Sequence, residues 1–473
     1  MSELSIEEGT KAVMLAVQLA DVDAGTFASS LDELRRLATT LGLDVVGQVT
    51  QRRAKLAPGK VVGDGKLKDL AAWTGGTGEV PAYQKPGTSK KTADADDADE
   101  PEDDAAAEVD DGADAEDDGD AEAAEGGPPK GVVCSVVLVD HDLTPTQQRN
   151  LERATGAEVM DRTQVILGIF HRHARTREAR LQVEIARLQY LAPRLRELGG
   201  GTERQRGGGG VGRSAGESSL ELDRRRIRDR IAELRRELAA IEGGGKTRRA
   251  RRGDASTVAV VGYTNAGKSS LMRALTGSEV YVADKLFATL DTTVRVLEAR
   301  VKPPILLSDT VGFIKKLPHD LVASFRSTLE EAAEADLLLH VVDASDAAFR
   351  DHMAVTRSVL GEVGADAPML IVLNKADRLD VETRADLALS YPDAVIMSAK
   401  RPADVTALRE RIVEIFAGAA VTAELLVPWD RHKLVHDLHN RCRVLAERHD
   451  EHGTHVTVRG PQAIIDELSA ELA

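Results

Sequence analysis

The strongest constraint on the fold is a glycine-rich loop that directly follows an apolar strand and leads into a helix. The strand is predicted over Thr257–Val261 and a helical segment over Leu271–Leu275. Between them the pattern G-x-x-x-x-G-K-[ST] is complete, with the residues Gly262, Tyr263, Thr264, Asn265, Ala266, Gly267, Lys268 and Ser269. The glycines let the backbone curl so that its N–H groups and the helix N-terminus face phosphates. The pattern therefore predicts an α/β domain of the P-loop type that binds a nucleotide.

Individual P-loop residues have predicted roles. Lys268 is predicted to neutralise charge on the β- and γ-phosphates, and the Ser269 hydroxyl to coordinate Mg2+. Ser270 is added to the predicted nucleotide-binding set. Asn265 has two interpretations: it coordinates a K+ ion that replaces an arginine finger, or it is an asparagine tolerated in a tight turn.

A second motif follows the predicted strand Ile305–Leu307 and consists of Asp309, Thr310, Val311 and Gly312. Asp309, at the end of the strand, is predicted to hold the Mg2+ shell, and the Gly312 N–H to donate to a γ-phosphate. Phe313 comes next, where Ras-like enzymes have the glutamine that orients the attacking water. This substitution predicts slow intrinsic hydrolysis.

Two further motifs predict which base is bound. The first consists of Asn374, Lys375, Ala376 and Asp377 and follows the predicted strand Met369–Leu373. The second consists of Ser398, Ala399 and Lys400 and follows the predicted strand Ala394–Met397. The Asp377 carboxylate can accept from N1–H and the 2-amino group of guanine, which adenine lacks, and the Ala399 N–H can donate to O6. Four motifs in this order predict GTP and GDP rather than ATP as ligands.

The segment between the first two motifs is the predicted first switch, and it consists of Phe287, Ala288, Thr289, Leu290, Asp291, Thr292 and Thr293. One threonine here is expected to complete the Mg2+ shell only when a γ-phosphate is present. We choose Thr289, with Thr292 and Thr293 as alternatives. The predicted catalytic groups are then Lys268, Thr289 and Gly312, and the predicted metal ligands are Ser269, Thr289 and Asp309.

The N-terminal segment 1–162 predicts an α/β domain, with strands over Val13–Leu19 and Leu43–Val49 and a helix over Gly25–Thr40. An acidic insertion at about 75–130 interrupts it. Between Asp94 and Glu125 there are 18 Asp and Glu and no Lys or Arg. With almost no large apolar residues, this stretch cannot repay the entropy of ordering, so we expect it to be disordered.

Residues 163–242 predict a helical hairpin, because apolar residues recur at alternating steps of three and four on two long helices. Pro193 is expected to kink or end the first helix, and Ser218 with Glu221 predicts the start of the second. The Gly- and Arg-rich loop 199–216 is either a flexible connection or a functional contact. A basic linker over 243–256, the G domain over 257–420 and a small α+β domain over 421–473 complete the organisation. The last is predicted as strand, helix, strand, helix.

Charge and composition restrict the class of protein. The net charge of −16 hides a middle segment, His171 to Ser256, with 21 Arg and one Lys against 12 acids. Such a segment suits a polyanionic partner such as RNA, or else forms a well-solvated helical pair. The acidic start predicts no secretory signal, no apolar run is long enough to span a bilayer, and the two cysteines allow no disulfide framework. We therefore expect a cytoplasmic monomer.

The flanking segments resemble the HflX family of ribosome-associated GTPases, within the Obg–HflX group, from about residue 11 to 465. The strings that support the resemblance are Leu143–Glu152, Asp161–Thr163, Ala174–Glu178, Leu181–Glu184, Asp223–Arg226, Phe287–Asp291 and Leu337–Ser345. The resemblance implies an N-terminal α/β domain, a helical hairpin, a Ras-like G domain and a small C-terminal domain.

The same resemblance implies a function, and two segments of this sequence differ from the usual pattern of the family. It implies binding to the large ribosomal subunit, ribosomal RNA included, and splitting or rescue of stalled ribosomes under stress. The alternative is a nucleotide-regulated RNA-binding module with incidental GTP turnover. Residues 214–219 depart from the usual Gly-Pro-Gly-Glu-Thr-Gln of the family, and the acidic insertion is atypical. The insertion is a tether, an autoinhibitory mimic of RNA or a protein-binding segment.

Overall fold

The structure is a computed structural model that describes residues 7–57, 59–80, 128–129, 131–198, 219–250, 255–277, 286–287, 293–298, 301–315 and 331–472. The described chain forms two compact units, Met1–Gln164 and Val165–Ala473. Parallel sheets with helices between the strands confirm the predicted α/β class. Thr289, the Gly- and Arg-rich loop and most of the acidic insertion lie outside the described residues.

The first unit is built on a four-stranded parallel sheet in the order β2-β1-β3-β4. Its strands are β1 Thr10–Leu19, β2 Leu43–Arg53, β3 Val136–Val139 and β4 Glu158–Asp161. Its helices are α1 Ala24–Leu41, α2 Asp64–Thr74, α3 Pro145–Thr155 and the start of α4 Arg162–His173. The central strands are buried on both faces, as in parallel sheets covered by helices.

Local sequence signals account for the ends of α3. The Thr144 side chain accepts from the Gln147 N–H, the Gln147 side chain accepts from the Thr144 N–H, and Pro145 occupies the first turn. Gly156 ends the helix in the left-handed conformation, with φ 67°. These signals fix both ends of the observed helix.

The insertion begins later than the predicted position 75. Gly75 caps α2, and the Gly78 N–H donates to the Ala154 carbonyl across 2.9 Å. A Cβ on Gly76 would lie 2.4 Å from the Ala154 oxygen, so only glycine fits this close approach. Residues 75–80 therefore belong to the folded unit, and small residues in them serve close packing.

The second unit starts with the helical hairpin of α5 Arg177–Leu198 and α6 Ser219–Ala250. Arg177 pairs with Glu237 at 2.8 Å and Glu184 with Arg230 at 3.1 Å, so the helices run antiparallel. The apolar residues that they share are Leu181, Ile185, Leu188, Ile227 and Leu234. This seam is the one that the spacing predicts.

Both helices are longer than expected. Helix α5 continues through Pro193 to Leu198, so the proline does not end it. Helix α6 continues to Ala250, whereas the sequence predicted a linker from 243. Each glycine in a helix interior costs about 1 kcal/mol, but extending an existing helix adds a hydrogen bond per residue. The predicted capping residues Ser218 and Glu221 lie outside the described side chains.

A six-stranded sheet in the order β10-β9-β8-β5-β7-β6 follows. All neighbours are parallel except β6 and β7. The strands are β5 Ser256–Val261, β6 Thr293–Glu298, β7 Ile305–Asp309, β8 Leu337–Asp343, β9 Met369–Asn374 and β10 Val395–Ile396. The helices described here are α7 Lys268–Thr276, α8 Phe349–Val363, α9 Val381–Ser390 and α10 Pro402–Ala419.

The C-terminal part is an antiparallel sheet in the order β11-β13-β12. Its elements are β11 Ala420–Pro428, α11 Lys433–Arg441, β12 Arg443–His449, β13 Gly453–Pro461 and α12 Gln462–Leu472. The prediction of one strand between these two helices was wrong. The Asp450 side chain accepts from the N–H groups of His452 and Gly453, which builds a turn and makes a hairpin of that segment.

Within the described ranges, no helix has both the length and the apolar character needed to cross a membrane.

Candidate nucleotide site

The predicted motifs meet at the carboxyl edge of the six-stranded sheet. The P-loop follows β5, Asp309 ends β7, Asn374 ends β9, and residues 398–400 come just after β10. Carboxyl ends of parallel strands share one edge, where α/β proteins bind ligands. The topology therefore brings four segments that are distant in sequence to one place.

Two P-loop glycines are required by their surroundings. Gly262 follows β5, and a Cβ there would lie 2.1 Å from the Val341 carbonyl oxygen. Gly267 has φ 97°, in the left-handed region, and a Cβ there would lie 2.3 Å from Nδ2 of Asn374. Larger residues would displace β8 or the end of β9.

Lys268 occupies the interior of the loop. Its Nζ donates to the carbonyls of Gly262 at 2.9 Å and Tyr263 at 2.8 Å, and the side chain is buried. Burial lowers the pKa of Lys268 to about 8, although the negative charge of Asp309 opposes that shift. The ammonium group is thus fixed at the centre of the loop with little solvation.

Ser269 and Asp309 are adjacent, with the Ser269 hydroxyl donating to Oδ2 of Asp309 across 3.0 Å. A hydroxyl and a carboxylate are hard oxygen donors of the kind that Mg2+ prefers, so the pair fits the predicted metal shell. Thr310 is fully buried, and its hydroxyl donates to the Val260 carbonyl at 2.8 Å, which ties β7 to β5. Gly312 lies next to the loop, since a Cβ there would be 3.0 Å from Nζ of Lys268.

The two base motifs are joined by Asn374. Its Nδ2 donates to the Ala266 carbonyl at 2.9 Å, and its Oδ1 accepts from the Ala399 N–H at 3.0 Å. Lys375 pairs with Asp343 at 2.6 Å, and Lys400 lies 3.7 Å from Asp377. The hydrogen bond from Ser398 holds the pKa of the Asp377 carboxyl below its usual range, so this carboxylate is ionised.

The predicted first switch is described only in part. Ala288, Thr289 and Thr292 lie outside the described residues, while Thr293 begins β6. Phe287 is buried, has φ 55° and packs edge-to-face on Phe170 of α4, with ring centroids 4.7 Å apart. No local sequence pattern predicts the contact with Phe170, because the two residues lie far apart in the chain.

Three family models match successive parts of the chain between residues 28 and 375, and one relative matches almost all of it. The model described as GTP-binding GTPase N-terminal matches residues 28–79 and 130–171, and GTP-binding GTPase Middle Region matches 173–252. The model described as 50S ribosome-binding GTPase matches 257–375. A GTPase HflX of Gluconacetobacter diazotrophicus is 53% identical over 98% of this chain and 98% of its own length. The chain belongs to the HflX family of GTPases.

Other HflX proteins are also similar to this chain. The GTPase HflX of Caldanaerobacter subterraneus is 37% identical over 96% of this chain and 92% of its own length. That of Escherichia coli is 45% identical over 63% of this chain and 71% of its own length. As an HflX-family member with a complete P-loop GTPase domain, the protein is an enzyme that hydrolyses GTP.

Among solved structures, the chain is similar to a GTP-binding protein from Sulfolobus solfataricus in complex with GDP. The sequence identity is 22%, the TM-score is 0.40, and the match covers 86% of this chain and 98% of the other.

Proposed function

We propose that this HflX-family GTPase is a nucleotide-dependent switch that binds the large ribosomal subunit and promotes splitting or rescue of ribosomes under stress. The observation that supports this most is the match of residues 257–375 to a family described as 50S ribosome-binding GTPase. The basic character of the hairpin agrees with an RNA partner. Seven arginines lie between Leu222 and Ile241 of α6, against four acids. A cytoplasmic location follows from this proposal.

In this proposal each motif residue has one role. Lys268 and the P-loop N–H groups hold the phosphates, and the Asp377 carboxylate holds guanine. The Ala399 N–H donates to Oδ1 of Asn374 at 3.0 Å in the structure, so it must share or exchange that bond to reach O6 of guanine. Ser269 and Asp309, with Thr289, hold Mg2+, which neutralises phosphate charge when it is bound with GTP. The Gly312 N–H donates to the third phosphate, which GDP lacks. Loss of that phosphate on hydrolysis releases Thr289 and Gly312 and lowers the affinity for the ribosome.

Sedimentation of intact ribosomes tests the proposal. Ribosomes are incubated with the full-length protein and Mg2+ plus GTP, a non-hydrolysable GTP analogue or GDP, and are then separated on sucrose gradients. We expect free subunits with GTP and with the analogue, and intact ribosomes with GDP. Co-sedimentation with intact ribosomes in all three states would instead favour the RNA-binding module with incidental turnover.

A base-specificity variant gives a matched control. In Asp377→Asn the carboxylate that would select guanine becomes an amide, which is complementary to xanthine. Splitting by this variant is expected with xanthosine triphosphate and not with GTP, in the same ribosome preparation. Splitting that stays equal with both nucleotides would show that it does not depend on this site.

The slow intrinsic hydrolysis predicted from Phe313 has support in its position. Phe313 and Ile314 are both buried, and Phe313 packs in the apolar interior beside β5 and β8. Neither side chain can orient a water molecule, so another group or the ribosome must do so. Single-turnover hydrolysis measured with and without large subunits tests this, with stimulation by the subunits as the expected result.

The K+ hypothesis for Asn265 also belongs to this proposal. Asn265 has φ 59°, a conformation that asparagine tolerates better than most residues, so the turn interpretation stays open. Hydrolysis rates compared in potassium and sodium buffers decide between the two. Equal rates would leave only the turn role, whereas K+ stimulation that Asn265→Ala abolishes would support coordination.

A further inference from the structure

The side chain of Tyr263, at the second position of the P-loop, is held at one face of its ring and at its hydroxyl. The ring is buried and stacks on the His352 ring of α8, with centroids 3.8 Å apart and planes inclined by 12°. Backbone groups of the P-loop explain nucleotide binding without any side chain at this position. A large aromatic residue with a hydroxyl therefore needs a separate explanation.

The hydroxyl of Tyr263 accepts a hydrogen bond from the Lys315 N–H across 2.6 Å. Two backbone bonds join the same segments: the Thr264 N–H donates to the Phe313 carbonyl at 2.7 Å, and the Phe313 N–H donates to the Gly262 carbonyl at 3.2 Å. Three hydrogen bonds thus connect the P-loop to residues 313–315, which directly follow Gly312.

Residues 313–315 are also held from their other side. Phe313 and Ile314 are 2% and 1% exposed, and Nζ of Lys315 pairs with Asp351 of α8 at 3.0 Å. Tyr263 and Lys315 therefore both contact helix α8: Tyr263 stacks on His352, and Lys315 pairs with Asp351. These contacts restrict the backbone of residues 313–315 more than that of a solvent-exposed loop. Because the contacts are few, the loss of one is expected to change the position of this backbone.

Gly312 is the residue that this arrangement positions. A Cβ on Gly312 would lie 2.8 Å from Cγ2 of Thr264 and 3.0 Å from Nζ of Lys268, so its backbone touches the P-loop. A hydrogen bond weakens steeply when its angle deviates. The direction of the Gly312 N–H therefore depends on how firmly residues 313–315 are anchored.

We propose that Tyr263 is a positioning residue for GTP hydrolysis, whose hydroxyl anchors the Lys315 N–H and so orients Gly312 toward the third phosphate. GDP has no third phosphate. The hydroxyl therefore stabilises the GTP-bound state and the transition state of hydrolysis, and it leaves the affinity for GDP unaffected. The His352 stack holds the ring so that the hydroxyl is in place before nucleotide binds, which is preorganisation of the kind that lowers barriers.

The first test is Tyr263→Phe in the full-length protein with Mg2+, because this change removes only the hydroxyl and keeps the ring on His352. We expect the single-turnover rate of GTP hydrolysis to fall about tenfold, with GDP affinity within about twofold of wild type. A fluorescent GDP analogue measures the affinity and verifies that the variant is folded. A wild-type hydrolysis rate would overturn the proposal, as would equal losses of GDP affinity and rate.

A second pair of variants tests the donor of this bond, the Lys315 N–H, instead of the acceptor. Lys315→Pro lacks the N–H, whereas Lys315→Ala keeps it and loses the same ion pair to Asp351. Hydrolysis by Lys315→Pro is expected to be about tenfold slower than by Lys315→Ala. Combining Tyr263→Phe with Lys315→Pro should give no further loss, because both remove one bond. Additive losses would show that the two groups act independently and would overturn the proposal.

Discussion

The hydroxyl of Ser398 donates to Oδ1 of Asp377 across 2.6 Å. This bond joins the two base motifs, which follow the neighbouring strands β9 and β10, and it fixes the orientation of the carboxylate before any ligand arrives. It also accounts for the lowered pKa of Asp377, since a hydrogen bond to the charged form favours ionisation. The other carboxylate oxygen, Oδ2, lies 3.7 Å from Nζ of Lys400.

Base preference should follow from Asp377 itself. In Asp377→Asn we expect affinity for GDP to fall at least about hundredfold and affinity for xanthosine diphosphate to rise, because the amide matches the xanthine edge. Competition binding with both nucleotides measures the change. Ser398→Ala is the control: it removes the orienting bond, so both affinities should weaken without a change of preference. Unchanged preference in Asp377→Asn would exclude this residue from base recognition.

Asn374 should affect the affinity for nucleotide by supporting the P-loop and the second base motif, and not by contacting the base itself. In Asn374→Ala the Ala266 carbonyl loses a buried bond partner, which costs about 1–3 kcal/mol, and the half-buried Ala399 N–H also loses its acceptor. We expect GDP affinity to fall at least about tenfold by isothermal titration calorimetry. Asn374→Asp keeps the acceptor for Ala399, but it sets a carboxylate oxygen against the buried Ala266 carbonyl, so it should lose at least as much affinity as Asn374→Ala. The reverse order of the two variants would contradict this account.

The pKa of Lys268 predicts how nucleotide binding depends on pH. With a pKa of about 8 in the free protein, Lys268 is charged at pH 6.5 and mostly neutral at pH 9. Bound phosphates favour the ammonium form and raise its pKa, so binding at pH 9 must take up a proton. Calorimetry of GDP binding in buffers of different ionisation enthalpy should detect uptake of about one proton at pH 9 and little at pH 6.5, with weaker affinity at the higher pH. Proton uptake that is equal at both values would place the titration elsewhere.

A buried ion pair should matter for the stability of the first unit. Arg162 is 1% exposed and donates to Asp140 at 2.9 Å, and it also pairs with Glu33. In Arg162→Met the two carboxylates lose their cation, which costs about 3–5 kcal/mol for buried pairs. Hydrogen exchange of β1 and β3 amides in the full-length protein measures the free energy of opening. Arg230→Met, which removes an exposed pair, should leave those amides unchanged.

The sequence predicts elements well where the pattern is local. Strand β9 ends at Asn374 and β7 at Asp309, because an apolar run followed at once by a polar motif leaves little freedom. It fails where a global context overrides the local signal, as in the three glycines inside α6. It also fails where a turn such as 450–453 divides what reads as a single strand.

Contacts between distant residues form the part of the site that no sequence pattern predicts. Tyr263 matches a variable position of the P-loop pattern, so its bond to Lys315 has no signature. Phe170 and Phe287 are separated by more than a hundred residues and meet only because the fold brings α4 next to Phe287. Such pairs depend on the packing of whole elements, which single-sequence periodicity does not contain.

Helix α6 has one mechanical consequence. Its 32 residues form a rod about 48 Å long that ends only five residues before β5 and hence close, along the chain, to the P-loop. A tilt of about 10° at that end displaces the far end by about 8 Å, because the helix rises 1.5 Å per residue. Any rotation of α6 at the end nearest β5 is therefore magnified at its opposite end.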